Sequence, residues 1–314
     1  MKYQLAILLS TYNGRRFLPE QLDSVLRQTF QDFVIVARDD GSTDGSKEIL
    51  FQYKARYPEK MYLHLDNEEN LGSCASFKLL MESVVENKIR YGLDNVYIMF
   101  CDQDDIWIEE KIEIQMKKMH KLEGQNPDLP ILVHSDLSVI DVEKNAVSNS
   151  FFRYQGLNQR RDRLAHLSIY NLVTGCTTLI NEPLAKMALP IPDTALMHDW
   201  WLGLCATAFG KRGFVSVATV RYRQHDKNVI GAQKIKAIGA GFRQSFFHAF
   251  FQTPPKESLV SAALQARSFL HQYFRLLDYK QIFSMWICSL MRFDCRLLQK
   301  ICCFIVLSAS AKRT

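Results

Sequence analysis

The stretch VYIMFCDQDDIW, residues 96–107, decides the fold: an unbroken apolar run stops at three carboxylates, Asp102, Asp104 and Asp105. An apolar run without alternation suits a strand covered on both faces, as in a parallel sheet layered with helices. Carboxylates this close repel unless water, backbone N–H groups or a cation offsets their charge. Two readings follow. One is a solvated turn in which Asp105 caps the helix WIEEKIEIQMKKMHK at 107–121, Asp being a common cap and turn residue. The other is a divalent-cation site at the end of a strand.

Outward from this stretch the pattern repeats. Apolar strands are predicted at QLAILL (4–9), FVIVA (33–37), MYLHL (61–65) and ILVH (131–134), with amphipathic segments at 15–28, 44–57, 73–90 and 108–121. Strand alternating with helix predicts an α/β fold whose mostly parallel, Rossmann-like sheet is flanked by helices. Ligands of such sheets bind outside the carboxyl ends of the strands. Three polar clusters fall there: STYNG (10–14), RDDGSTDG (38–45) and DQDD (102–105). A solvated turn accounts for each singly but not for three on one sheet edge, so the expectation shifts to a site.

Hydrophobic residues at 47% and charged residues at 23% suit a globular protein. The net charge of +6 is unevenly placed. From Gly231 onward there are 12 Lys and Arg against three Asp and Glu; the chain totals of 39 and 33 leave 27 against 30 before it. The basic character therefore belongs to residues 232–314, read as an amphipathic helical extension after a catalytic domain at 1–231. Neither GxGxxG nor GxxxxGK[ST] occurs, which argues against a dinucleotide oxidoreductase or a P-loop enzyme. A phosphate bound without such a loop needs its charge met by a cation. Mg²⁺ or Mn²⁺, which take oxygen ligands and often share them with substrate phosphates, suit DQDD.

The eight cysteines form no CxxC pair, which with several lying in apolar runs suggests a reducing, cytoplasmic compartment. The N-terminus reads as too short in apolar residues for a secretory signal. ICCFIVLSASA (301–311) falls well short of the ~18 apolar residues a membrane span needs.

LLSTYNGRRFLPEQLDSVLRQTFQDFVIVARDDGSTDGS, NLGSCASF and CDQDDIW together resemble family 2 glycosyltransferases of the GT-A fold. HDWWL (198–202) and RYRQHDKNVIGA (221–232) are similar to the bacterial rhamnosyltransferase branch, so the resemblance spans residues 3–231. It implies inverting transfer of a sugar, L-rhamnose from dTDP-L-rhamnose or else a hexose from a UDP-sugar, onto a lipid-linked cell-surface glycan. Thr11, Tyr12 and Asn13 would lie near the nucleotide. Asp40 would accept from the pyrimidine N3–H, since an ionised carboxylate only accepts. Asn70 and Gly72 would line the same pocket, Asp102 would lie near the ribose and donor sugar, and Asp104 would ligate the metal. A catalytically silent scaffold binding nucleotide or glycan is the alternative class; an intact DQDD with Asp199 argues against it.

Inversion needs a group to take the acceptor's proton. Asp199 in MHDWWLGL is the candidate; its other reading is an N-cap of the helix that follows. Trp200 and Trp201 are either core or a wall against a sugar ring. In RYRQHD, Arg223 is expected to meet the diphosphate and His225 to add a metal ligand or phosphate contact, against the alternative of a plain edge strand with one basic face. Asp226, where relatives often carry Gly, makes the loop after His225 unlike theirs. Thr174, Gly175 and Cys176 resemble the segment supporting the acceptor side, though small residues there also permit close packing.

In the tail, FRQSFFHAFF from Phe242 and the segment 269–307 interleave aromatics with Arg243, Arg275, Lys280, Arg292, Arg296 and Lys300. Pro254 and Pro255 are expected to separate two helical pieces. The apolar bulk suits an anionic membrane surface rather than nucleic acid, which places the enzyme peripherally at the inner face of the cell membrane. A helical subdomain with solvated cations, or a homo-oligomer contact, is the alternative.

Overall fold

The computed structural model describes residues 3–65, 69–159, 163–226, 256–293 and 295–311. Among them, nine strands form one sheet. These are β1 (Tyr3–Thr11), β2 (Phe33–Asp39), β3 (Met61–Leu63), β4 (Leu93–Cys101), β5 (Ile106–Trp107), β6 (Ile131–Ile140), β7 (Ala146–Ser148), β8 (Thr178–Ile180) and β9 (Lys211–Arg223). Their order is β3-β2-β1-β4-β8-β6-β9-β5, with β7 beside β6. The β1–β2, β1–β4, β2–β3 and β6–β9 pairs are parallel. β8 runs antiparallel to both β4 and β6, so these two point the same way despite the reversed strand between them. Six of the nine strands run in one direction, with β5, β7 and β8 reversed, and all five predicted strands are present.

The helices follow the sequence pattern. Helices α1 (Leu18–Leu26), α2 (Ser46–Arg56), α3 (Ser73–Glu86) and α4 (Lys111–Gln125) cover the predicted amphipathic segments. The short turns α5 (Phe151–Tyr154) and α6 (Leu164–Leu167) precede α7 (Glu182–Ala188) and α8 (His198–Phe209). The central strands β1, β2 and β4 are apolar on both faces because helices cover both. Leu5 to Leu9 and Phe33 to Ala37 are essentially sealed from solvent.

One correction concerns Asp105. It does not cap a helix: α4 starts at Lys111 with Glu110 at its N-cap, and Asp105 is buried ahead of the short strand β5. β5 pairs with β9 through Ile106–Arg221 and Trp107–Val220, which folds the acidic loop back onto the end of β9.

The chain divides into two compact units. The larger takes Met1–Leu157, Val173–Ile191 and Met197–Lys234; the smaller takes Asn158–Leu172, Pro192–Leu196 and Ile235–Thr314. The described part of the smaller unit contains α9 (Lys256–Tyr273), α10 (Tyr279–Ser289) and α11 (Arg296–Ala311). The tail residues Phe242, Arg243, Pro254 and Pro255, the boundary at Gly231 and the loop from Lys227 lie outside the described residues. Among the described residues, no helix is long and apolar enough to cross a membrane.

Gly210, at the end of α8, shows how tightly β6 and β9 are joined. A Cβ there would stand 1.7 Å from the Pro130 carbonyl oxygen, the same oxygen that accepts from Lys211 N at 2.9 Å. The clash is with backbone, which does not yield cheaply. Gly210→Ala is therefore expected to destabilise the fold by about 3 kcal/mol, read as a lower urea midpoint. An unchanged midpoint would mean that this junction is slack.

Candidate active site

Parallel pairing brings the three polar clusters together. Thr11 is in register with Asp39, and Leu9 with Cys101, so the loops after β1, β2 and β4 leave the sheet side by side. Gln103 ties two of them: its Oε1 accepts from Thr11 Oγ1 (2.7 Å) and Tyr12 N (2.8 Å), while its Nε2 donates to Tyr12 O (3.0 Å). A Cβ on Gly14 would stand 2.2 Å from Gln103 Oε1, so a side chain there would push the amide off these hydrogen bonds. Asn13 adopts φ +50°, a conformation Asn tolerates, and its Oδ1 accepts from Thr43 N at 2.9 Å. Thr11 is buried, whereas Tyr12 is 48% exposed at the rim.

Asp40 is buried with most of its acceptor capacity in use. It accepts from Arg38 Nη1, from Leu71 N (2.8 Å) and from Gly72 N (2.9 Å). In this state it fixes the entry to α3, using three of a carboxylate's roughly four lone-pair directions. Gly72 takes φ +80° at the N-cap of α3, where a side chain would be strained. Asn70 stands beside it, exposed.

The carboxylates converge. Burial, then Asp104, then Asp199 push the Asp102 carboxyl up to about 7, although Asp102 keeps a partial opening to solvent. Asp105 is raised well above its ordinary value by burial and by the charges of Asp104 and Asp102. Its Oδ1 accepts from Arg223 N (3.1 Å), Oδ2 has no hydrogen-bond partner, and the weakly donating Cys176 thiol lies close to the carboxyl. Ligand atoms of Asp102, Asp105 and Cys176 lie within 4.8 Å of one another. Burial raises the Cys176 thiol further, which keeps it neutral.

Asp104 and His225 meet directly: Nε2 lies 2.9 Å from Oδ2. Behind them, Phe17 stacks on His225 (5.1 Å between ring centroids) and packs against the Arg223 guanidinium, whose Cζ is 4.7 Å from the ring centre. Arg223 differs from its expectation. Its side chain is 2% exposed, with Nε donating to Asp104 O (2.9 Å), Nη1 to Val142 O (3.1 Å) and Nη2 to Glu20 Oε2 (2.6 Å). It is a buried strut under the acidic loop rather than a cation facing a diphosphate. Residue alternation suggested one basic face, but β9 buries both Tyr222 and Arg223 at its end.

Asp199 lies in the first turn of α8, not at its N-cap, which is Met197. A carboxylate there is favoured by the helix dipole. The turn Gly175–Thr177 packs against it: a Cβ on Gly175 would come 2.9 Å from His198 Nε2 and 3.6 Å from Asp199 Oδ2. Trp201 is core, its Nε1 donating to Ala188 O at 3.0 Å, while Trp200 is half-buried. His198 is caged by Phe77 and Phe100, with centroids at 4.4 and 4.6 Å, and neither ring nitrogen has a hydrogen-bond partner. Burial holds its pKa at about 3, so it stays neutral.

Three contributors escaped the sequence reading: Gln103, His198 and Lys111. Lys111 is fully buried, its Nζ donating to Gln115 Oε1 (2.6 Å) above the Trp107 ring, while Gln115 Nε2 donates to Thr177 O (2.6 Å). Burial lowers its pKa to about 8. The missed signal was a Lys and a Gln four residues apart on the same face of α4 as Ile112, Met116 and Met119.

The geometry has relatives. The chain is 25% identical over 245 residues to the dTDP-rhamnosyl transferase RfbG of Shigella flexneri, spanning 74% of this chain and 78% of that protein. S. aureus TarS 1-349 in complex with UDP-GlcNAc superposes with a TM-score of 0.56 at 13% identity, covering 98% of this chain and 91% of that one. The mannosyltransferase PcManGT from Pyrobaculum calidifontis, in complex with GDP-Man and Mn²⁺, gives 0.51 at 12% identity, covering 99% and 86%. These likenesses show a shared GT-A fold. The sequence profile described as Glycosyl transferase family 2 matches residues 6–187, a span that holds the loops after β1, β2 and β4 and the Gly175 turn; the chain belongs to that family and is a glycosyltransferase.

Proposed function

We propose that this glycosyltransferase moves a sugar, with inversion, from a metal-bound nucleotide sugar to a lipid-linked cell-surface polysaccharide precursor at the cytoplasmic face of the membrane. The observation that carries the reading is the convergence of Asp102, Asp104 and Asp199, close enough that two of them raise the pKa of the third. So much negative charge in one place suits a cation, and carboxylate oxygens with one imidazole nitrogen suit Mn²⁺ or Mg²⁺. Asp104 and His225 would hold the ion, with Asp102 beside them; the tight Asp102–Asp105–Cys176 group lies deeper and its neutral thiol fits a hard cation poorly. When bound, the ion would stabilise charge on the leaving diphosphate.

The chain's own residues supply the rest. Asp199 accepts the proton of the attacking hydroxyl. Tyr12 offers an exposed ring at the rim for a nucleobase, and Thr11, Asn13, Asn70 and Gly72 border the nucleotide. Asp40 reads the base edge through its remaining acceptor direction. Arg223 positions Asp104 and His225 from below. The donor most favoured is dTDP-L-rhamnose, supported by the name of the RfbG relative. A UDP-hexose is the second reading, supported by the UDP-GlcNAc bound to TarS.

A panel of dTDP-, UDP- and GDP-sugars with Mg²⁺ or Mn²⁺, scored by nucleoside diphosphate release, tests this. Release from dTDP-L-rhamnose at least tenfold above the others is expected. Preference for a UDP-hexose would select the second donor, and nucleotide binding without release from any donor would favour a silent scaffold.

A further inference from the structure

We propose that α10 and α11, with the segment 290–293 between them, form a face that docks on an anionic lipid bilayer. The inference deepens the membrane location proposed above and rests on it only for its purpose.

A helix that packs on one side and faces water on the other should be apolar on one face only. α10 and α11 are apolar on both. α10 buries Met285 and Cys288 against its unit, yet turns Tyr279 (75% exposed), Phe283 (52%) and Trp286 (48%) outward. Their spacing of four and then three residues sets the outward side chains along one stripe. α11 buries Gln299, Cys302, Cys303 and Val306 and leaves Leu297 and Ile301, one turn apart, exposed. The two helices pack on each other. An outward apolar stripe on a helix whose other side is already packed marks an interaction surface.

The charges say which kind. Lys280, Arg292, Arg296 and Lys300 accompany the stripes, while Asp278 is engaged as the N-cap of α10, accepting from Lys280 N and Gln281 N at 2.8 Å. Cations sit directly on exposed rings: Arg292 Cζ is 4.4 Å from the Phe293 centroid, and Lys280 Nζ is 5.6 Å from that of Tyr279. Amphipathic rings with cations at their edges match the headgroup region of a bilayer, where rings enter the acyl boundary and cations meet lipid phosphate. A surface for a second protein chain would have fewer lysines at its centre and acids to answer them. With no helix among the described residues able to span, the contact is interfacial.

The test is flotation of the full chain with phosphatidylcholine vesicles, with or without one-fifth phosphatidylglycerol, at low and high salt. The wild type should float at least tenfold better with the anionic vesicles, and high salt should remove only part of this, since screening acts on the charges and not on buried rings. Phe283→Gln with Trp286→Gln should lower flotation about tenfold at both salts. Arg292→Gln, Arg296→Gln and Lys300→Gln together should lower it only at low salt. All variants should keep the wild-type circular dichroism and the wild-type rate of donor hydrolysis. Equal flotation with neutral and anionic vesicles, none with either, or a concentration-dependent dimer that the aromatic variant abolishes would overturn the proposal. Failure of donor hydrolysis in a wild type that floats would instead strike the proposed enzymatic reading, leaving the lipid face standing.

Discussion

Asp199→Asn should leave nucleotide-sugar binding intact and lower transfer by about 10²-fold or more, the loss typical of a positioned general base. The substitution keeps shape while removing the acceptor of the proton. His198, one residue earlier, is the residue type most often used for this task, yet it is shut between Phe77 and Phe100 and held neutral with a pKa of about 3. Asp199 stands in the first helical turn, against the Gly175 turn and within electrostatic reach of Asp102. Single-turnover transfer and calorimetric donor binding, measured on the same variant, separate chemistry from binding. Near-normal turnover would return Asp199 to a purely structural place in α8.

Much of this is legible in the sequence alone. Continuous apolar runs are readable because a strand buried on both faces has no polar side, and that alone located β1, β2, β3, β4 and β6 and hence the three loops at their ends. Short elements were not readable. β8 contributes only Thr178–Ile180 and β5 only Ile106–Trp107, too few residues for any period to declare itself. Yet β8 is what reverses the sheet locally, and β5 is what carries Asp104 and Asp105 to the end of β9. Pairwise roles were hidden for the same reason. Gln103 reads as one polar residue among acids until Tyr12, 91 residues away, presents the backbone pair it matches. Arg223 reads as a free cation until Glu20, 203 residues distant, and the Asp104 carbonyl claim its nitrogens. Local sequence announces strands and clusters; which acceptor a buried donor finds is set by topology.

Asp104→Asn should weaken donor binding in Mn²⁺ by at least about 10²-fold, and chelation with EDTA should do the same to the wild type, as expected where a carboxylate holds a cation and the cation meets phosphate. The same site makes a prediction that needs no substrate. The folded-state pKa of Asp102 is about 7, above its ordinary 3.8, through burial and the charges of Asp104 and Asp199. Between those values the native protein holds a proton that the unfolded chain has released. The contribution of Asp102 to the stability of the metal-free protein therefore falls as pH rises from about 4 to about 7, while the buried His198 and His134, both held at about 3, contribute in the opposite direction. Mn²⁺ competes with that proton, so its stabilising effect on Tm should be small at pH 5 and large at pH 8. Asp104→Asn removes one of the charges that raise Asp102, so from pH 5 to pH 8 the variant's metal-free Tm should rise relative to that of the wild type, and Mn²⁺ should shift it little at either pH. Thermal melts of both proteins at the two pH values, with and without Mn²⁺, read out all four quantities. A metal-free Tm that changes equally in the two proteins from pH 5 to pH 8, or an Mn²⁺ shift equal in the two proteins, would show that the carboxylates at the end of β4 do not form the cation site.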